Sequence, residues 1–209
     1  MLRIIGKATS INVRKVLWTC VELGLPFERE EWEERHAVLN PNRMVPVLVD
    51  GAQVGGPQVG ENFVLWESNA ICRYLCNRHG AQALLPLDAA RRAQVEQWMD
   101  WQATELNNAW RYAFMALVRE SPAHGEPALV AASVDGWNRH MGLLDAQLGT
   151  TGAWVAGNDF TLADVVLGLS ANRWLMTPMA RPDYPHLASW LERLGKREGF
   201  RLHGRNGIP

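Results

Sequence analysis

NPNRMVPVLVD, residues 40–50, puts a proline at the mouth of a β-rich run. Val47, Leu48 and Val49 are strand formers, and Asp50 followed by Gly51 is a turn signal that ends them. A proline opening a strand has no amide to donate, so it belongs at a sheet edge or at a strand's first residue. The backbone groups beside it, notably those of Val45, are then free to pair with something else. An ordinary edge strand satisfies this pattern, and so does a strand end that lends itself to an extended ligand.

Working outward, LRII (2–5) is strand-like, and Val13, Val16, Leu17 and Cys20 recur at helical spacing within 13–24, with Gly24 as a stop. PFEREEW (26–32) is a weakly alternating second strand, FVLWE (63–67) another, and a helix follows from Ser68 with Ile71, Cys72 and Leu75 on one side. The order is β-α-β, then two strands and a helix. GAQVGGPQVGEN (51–62) reads as an extended hairpin loop. The segment from Trp32 to Asn40 is short and charged, which leaves room for at most a reduced helix.

Composition changes at AQALLPLDAARR, which sets a domain boundary within 80–90. Helical periodicity takes over from there. Asp88 is placed to cap a long helix carrying Val95, Trp98, Met99 and Leu106. Val130, Val134, Trp137, Met141, Leu144 and Leu148 form the stripe of a core-facing helix. In DFTLADVVLG (159–168), Thr161 and Asp164 have capping-box spacing, with Phe160 placed to staple onto Val165, and PHLASWLERLGKREG (185–199) supplies a last helix.

The chain of 209 residues is 47% hydrophobic and 21% charged with a formal net charge of −1, so it can bury a core. That balance gives no reason to expect nucleic acid or an anionic membrane as partner. No long apolar run and no leader with a cleavage site is evident, and the expected location is cytoplasmic. Cys20, Cys72 and Cys76 are too few for a disulfide scaffold and lack companions with ligand spacing, so no metal is expected.

Two polar junctions stand out. In KATSINVRKV (7–16), Thr9, Ser10 and Asn12 crowd a strand–helix turn where one capping residue would suffice. In WESNAICRYL (66–75), Glu67 and Ser68 sit where a helix starts. Helix N-termini present unsatisfied amides and partial positive charge, which suits a carboxylate or phosphate, and Glu67 is placed to accept from an ammonium. An acid–hydroxyl pair there would hold both charges of an amino-acid group, although taken by itself the motif reads more simply as Ser68 capping the helix.

Strand–TSIN–helix, NPNRMVPVL, WESNAI and an all-helical half containing FTLADVVLG together resemble the cytosolic glutathione transferases, in bacterial-type members with a serine or asparagine facing the thiol. The resemblance spans essentially the whole chain. It implies an α/β thioredoxin-like glutathione-binding domain at 1–82 and an all-α domain at 90–209 contributing the electrophile pocket, with a cis peptide before Pro46. It implies that Val45 pairs through its backbone with the cysteinyl part of glutathione, and that Glu67 and Ser68 hold the γ-glutamyl ammonium and carboxylate. Ser10, four residues before the Arg14 of R-K-V, falls where serine-type members place the thiol-facing hydroxyl, and Asn12 matches an asparagine that some bacterial members use. Neither the tyrosine-type nor the cysteine-type turn is matched. His36 and Arg43, flanking NPN, are candidates for the glycine carboxylate, and Trp101, Trp110, Tyr112 and Phe114 for the electrophile pocket.

A free thiol of pKa about 8.5 is mostly protonated at neutral pH, and a donor aimed at the sulfur favours the thiolate. The expected activity is therefore transfer of glutathione, as co-substrate, to a small apolar electrophile. Peroxide or disulfide reduction, dehalogenation or isomerisation would use the same site, and a non-catalytic interaction module would use the same fold. A disulfide oxidoreductase using its own cysteines is excluded, because residues 9–12 contain none. The resemblance also implies a homodimer.

Overall fold

β1 (Leu2–Ile5), β2 (Phe27–Glu30), β3 (Val47–Asp50), β4 (Gln58–Val59) and β5 (Asn62–Trp66) form one sheet in the order β2-β1-β3-β5-β4. The computed structural model describes residues 1–51, 58–59 by backbone alone, and 62–209. β1 and β2 are parallel, joined by the helix α1 (Ile11–Glu22), while β3 is antiparallel to both β1 and β5. Most of the 51–62 connection lies outside the described residues. Its far end is a hairpin, with Gln58 opposite Phe63 and Val59 opposite Asn62.

Alternation along the strands separates two apolar faces. Ile4, Leu48 and Leu65 turn toward the main core, and Ile5, Val47, Val49, Val64 and Trp66 toward a smaller cluster with Trp32 and Leu39. A 3-10 turn over Glu34–Leu39 stands on that second face where the charged sequence predicted a reduced helix. α2 (Ser68–Arg78) packs beside α1.

The helical half comprises α3 (Ala89–Trp101), α4 (Asn107–Leu117), α5 (Pro127–Thr151), α6 (Leu162–Met176) and α7 (Pro185–Leu194). Asp88 accepts the Arg91 amide at 2.9 Å, as its position predicted. α3 and α4 are one rod interrupted by a π turn over Gln102–Leu106. In α5, Trp137, Met141, Leu144 and Leu148 are buried, the stripe read from the sequence. The capping box of Thr161 and Asp164 forms, its carboxylate also accepting from Trp190 Nε1 at 2.9 Å.

α1 is buried all round from Val13 to Cys20 because it lies between the sheet and α6. Gly168 of α6 permits that approach. A Cβ there would sit 2.9 Å from Leu194 and 3.0 Å from the Trp18 ring, closer than side chains pack. Arg197 ties the far end, donating to Glu22 Oε1 at 3.0 Å, which also accepts from Trp18 Nε1 at 2.8 Å. Among the described residues, no helix is long and apolar enough to cross a membrane.

Candidate active site

The chain leaves β1 through Gly6, at φ +149. A Cβ on Gly6 would lie 2.5 Å from Val13 Cγ2 and 2.9 Å from Val45 Cβ, so only glycine fits. This close approach sets the first turn of α1 against the Val45–Pro46 peptide, which is cis. Ser10 is the N-cap of α1; its amide donates to Lys7 O and its carbonyl accepts from the Arg14 amide, each at 3.0 Å. Its hydroxyl makes no capping bond. An N-cap serine ordinarily commits that oxygen to the first-turn amides. Here both the half-buried Ser10 hydroxyl and the half-buried Asn12 amide group lack a hydrogen-bond partner among the described residues.

The register of β3 and β5 builds the second part of the site. Val47 faces Trp66 in the last pair of the ladder, so the chain enters β3 through Pro46 at the same end of the sheet where it leaves β5 into Glu67 and Ser68. Glu67 is the N-cap of α2 and holds φ 74, ψ 111, a conformation rarely tolerated by a residue with a Cβ. Its exposed carboxylate makes no hydrogen bond or ion pair among the described residues, and the buried Ser68 contributes no capping bond. The sequence suggested Ser68 as a cap; the structure gives that position to Glu67. A carboxylate, a hydroxyl and a helix N-terminus thus follow directly on the C-terminal end of β5, at the end of the sheet where Pro46 leads into β3.

A cleft of about 580 Å³ opens between the two halves. Ser10 and Asn12 line one wall, and Trp110 and Phe114 of α4 the other, their rings edge-on at 5.4 Å. The remaining candidates lie elsewhere. Trp101 packs against Trp98 at 5.1 Å and His140 at 5.7 Å, and Tyr112 against His124 at 5.0 Å. His36 is buried, its Nδ1 accepting the Glu33 amide at 3.0 Å and its Nε2 facing Glu30 at 3.5 Å. Arg43 pairs with Glu34 at 2.8 Å on the surface. Both glycine-carboxylate candidates are therefore engaged in the 31–43 segment itself.

Three residues of consequence went unread in the sequence. Gly6 precedes the polar turn, and a glycine at that junction was the available signal. Lys15 is the second: fully buried on α1, it donates to Gln102 Oε1 of the π turn at 2.6 Å. Gln102 passes the contact on to Asn107, which accepts from Trp110 Nε1 at 3.0 Å. Burial pushes the Lys15 ammonium down to about 8. The third is Arg173 on α6, which lines the cleft.

Cys20, Cys72 and Cys76 are free and buried, and burial pushes their thiols up to about 12, 11 and 12. Among the described residues, no group of three or more His, Cys, Asp or Glu is placed to hold a metal.

A mixed sheet with two helices, joined to an α-helical half and sharing with it a cleft at the first turn of α1, defines an α/β domain followed by an all-helical one. The chain belongs to the glutathione S-transferase family. Residues 9–78 match the family model for the glutathione S-transferase N-terminal domain, and residues 127–193 that for the C-terminal domain. Glutathione S-transferase GstB of Escherichia coli is 34% identical, over 96% of each chain. The theta class glutathione S-transferase of Xanthomonas axonopodis pv. citri, solved with glutathione bound, superposes with a TM-score of 0.87 at 33% identity, over 100% of this chain and 99% of that one. An epsilon-class enzyme from the housefly, Musca domestica, gives 0.79 at 25% identity, over 100% and 94%.

Proposed function

We propose that the protein transfers glutathione to small electrophiles, using the cleft between its two halves. The observation that carries this reading is the uncommitted Ser10 hydroxyl, which opens on the same cleft as the Trp110 and Phe114 rings. In this reading glutathione extends along Val45, pairing with its backbone. Its γ-glutamyl ammonium meets the Glu67 carboxylate, and its α-carboxylate meets Ser68 and the N-terminus of α2.

The thiol then faces Ser10 and Asn12. Each donates to the sulfur, and the N-terminal end of α1 adds a favourable potential, so the thiolate gains over the thiol. Lowering the thiol pKa by one unit requires about 1.4 kcal/mol, within reach of one or two hydrogen bonds to a charged partner. Ser10 acts as a donor, with no need to become a base or a nucleophile. The thiolate attacks an electrophile held against Trp110 and Phe114, and the leaving group departs with the bonding electron pair.

The protein works as a cytoplasmic homodimer in this reading, as the family resemblance implies; light scattering at the mass of two chains tests the dimer. The decisive experiment is a pH titration of thiolate ultraviolet absorbance with glutathione bound. Ionisation well below the free value of about 8.5 is expected. Binding with an unshifted thiol, or no binding, would overturn the reading.

A further inference from the structure

Arg173 is the only cation on α6 and is 4% exposed. Its guanidinium carbon lies 4.2 Å from the Phe114 ring centre and 4.6 Å from that of Trp110. Its Nε is buried without a hydrogen-bond partner, and among the described residues the side chain forms no ion pair. The charges that act on it, from Arg14, Arg119 and Lys15, are of its own sign.

The wall around it repeats the pattern. Lys7, Arg111 and Arg119 line the same cleft, and among the described residues no carboxylate does. The whole chain has a formal net charge of −1, so this concentration of cations is local. Two aromatic faces offset part of the cost of burying a guanidinium, yet a buried cation without a counter-ion still lacks its natural partner. Cations fixed in a low-dielectric cleft draw anions into it.

We infer that the acceptor substrate is an organic anion, a planar apolar body bearing a carboxylate or sulfonate that pairs with Arg173 while its electrophilic carbon faces the thiol beside Ser10. This rests on the proposed transferase reading and names its second substrate class. Two oxygens of such a group match the guanidinium fork in two parallel hydrogen bonds. The rings of Trp110 and Phe114 hold the apolar body, and Arg119 and Arg111 draw the charge in from the mouth.

The test uses matched acceptors, 4-chloro-3-nitrobenzoate and 4-chloro-3-nitrobenzamide. In both, the glutathione thiolate forms a carbon–sulfur bond and chloride leaves with the carbon–chlorine electron pair. After division by the uncatalysed rates, kcat/KM for the carboxylate is expected to exceed that for the amide by at least about tenfold. Arg173→Met is expected to abolish the preference through the acceptor KM, leaving glutathione affinity and the ionisation of its thiol unchanged, and Arg173→Lys to retain part of it. Equal rates in the wild type, or a loss of glutathione affinity in Arg173→Met, would overturn the inference. Calorimetry with unreactive 3-nitrobenzoate and 3-nitrobenzamide reads the same preference without turnover. Preferential binding of the anion to a protein that leaves glutathione un-ionised would sink the transferase reading and keep the anion site; a lowered thiol pKa with no anion preference would do the reverse. Should Arg173→Met fail to fold, Arg119→Gln is expected to weaken 3-nitrobenzoate and leave 3-nitrobenzamide unaffected, and an equal effect on both would overturn the inference.

Discussion

Lys15 Nζ on α1 donates to Gln102 Oε1 in the π turn at 2.6 Å, a buried bond between the two halves of the chain. Burial holds this ammonium at about 8 against its ordinary 10.5. Between those values the unfolded chain keeps a proton that the native protein has released, so the residue's contribution to stability rises with pH there. Below pH 8 the cost of burying the charge is felt in full. Wild type should therefore gain on Lys15→Met by up to about 3 kcal/mol as pH rises through that window. Urea melts of both proteins at about pH 7, 8.5 and 10 measure the difference. A flat difference would contradict the assignment.

Glu67 carries strain that a functional residue can retain and a purely structural one would shed. Replacing it with glycine removes the penalty of φ 74 and is expected to stabilise the protein by about 1 kcal/mol. The same change deletes the carboxylate proposed to hold the ammonium, so glutathione affinity should fall by at least about tenfold. Thermal melts and glutathione calorimetry on one variant check both signs. A rise in melting temperature with unchanged affinity would remove Glu67 from the site.

Ser10→Ala separates capping from catalysis. An N-cap serine that bonds a first-turn amide costs about 1 kcal/mol when truncated. Because the Ser10 hydroxyl makes no such bond, stability should move by less than about 0.5 kcal/mol. The pKa of bound glutathione should rise by about one unit, a shift that hydrogen bonds to charged groups can account for. Asn12→Ala is expected to give the smaller rise. If neither variant moves the titration, the thiol lies elsewhere.

Asp164 is the polar anchor of the helical half. Its buried carboxylate accepts from the Val155 amide at 3.0 Å, the Thr161 amide at 2.9 Å and Trp190 Nε1 at 2.9 Å. Asparagine would turn an NH2 group toward donors and leave it without an acceptor. Asp164→Asn should cost about 2–4 kcal/mol, read as a lower urea midpoint, with the thiol titration of the surviving native protein unaltered.

Which parts of this were legible in sequence follows from the range of the forces involved. The strands at 2–5 and 47–50 and the start of α2 are written in short-range alternation and capping residues, and they lie where LRII, VPVLVD and Ser68 put them. The π turn was not legible: QATEL reads as ordinary helix, and its buried Gln102 meets a lysine 87 positions earlier. Arg173 escaped notice for the same reason, since its neighbours Trp110 and Phe114 come from a different helix. The signal was there in LADVVLGLSANRWLM, a mostly apolar helix holding a single cation. Trp101 and Tyr112 lie near Trp110 and Phe114 in sequence, but rotation about the helix axis turns them off the cleft those two line. Glu67 was legible as a residue type and illegible as a strained one.

The three cysteines bear on how long such a catalyst survives. With their thiols held near 11 or 12, none is ionised at neutral pH, and all three are sealed in the interior. Only thiolate sulfur attacks alkylating agents at appreciable speed. A protein that manages reactive compounds beside the glutathione thiol thus offers them no thiolate of its own, and the cargo's thiol is sacrificed in place of a cysteine.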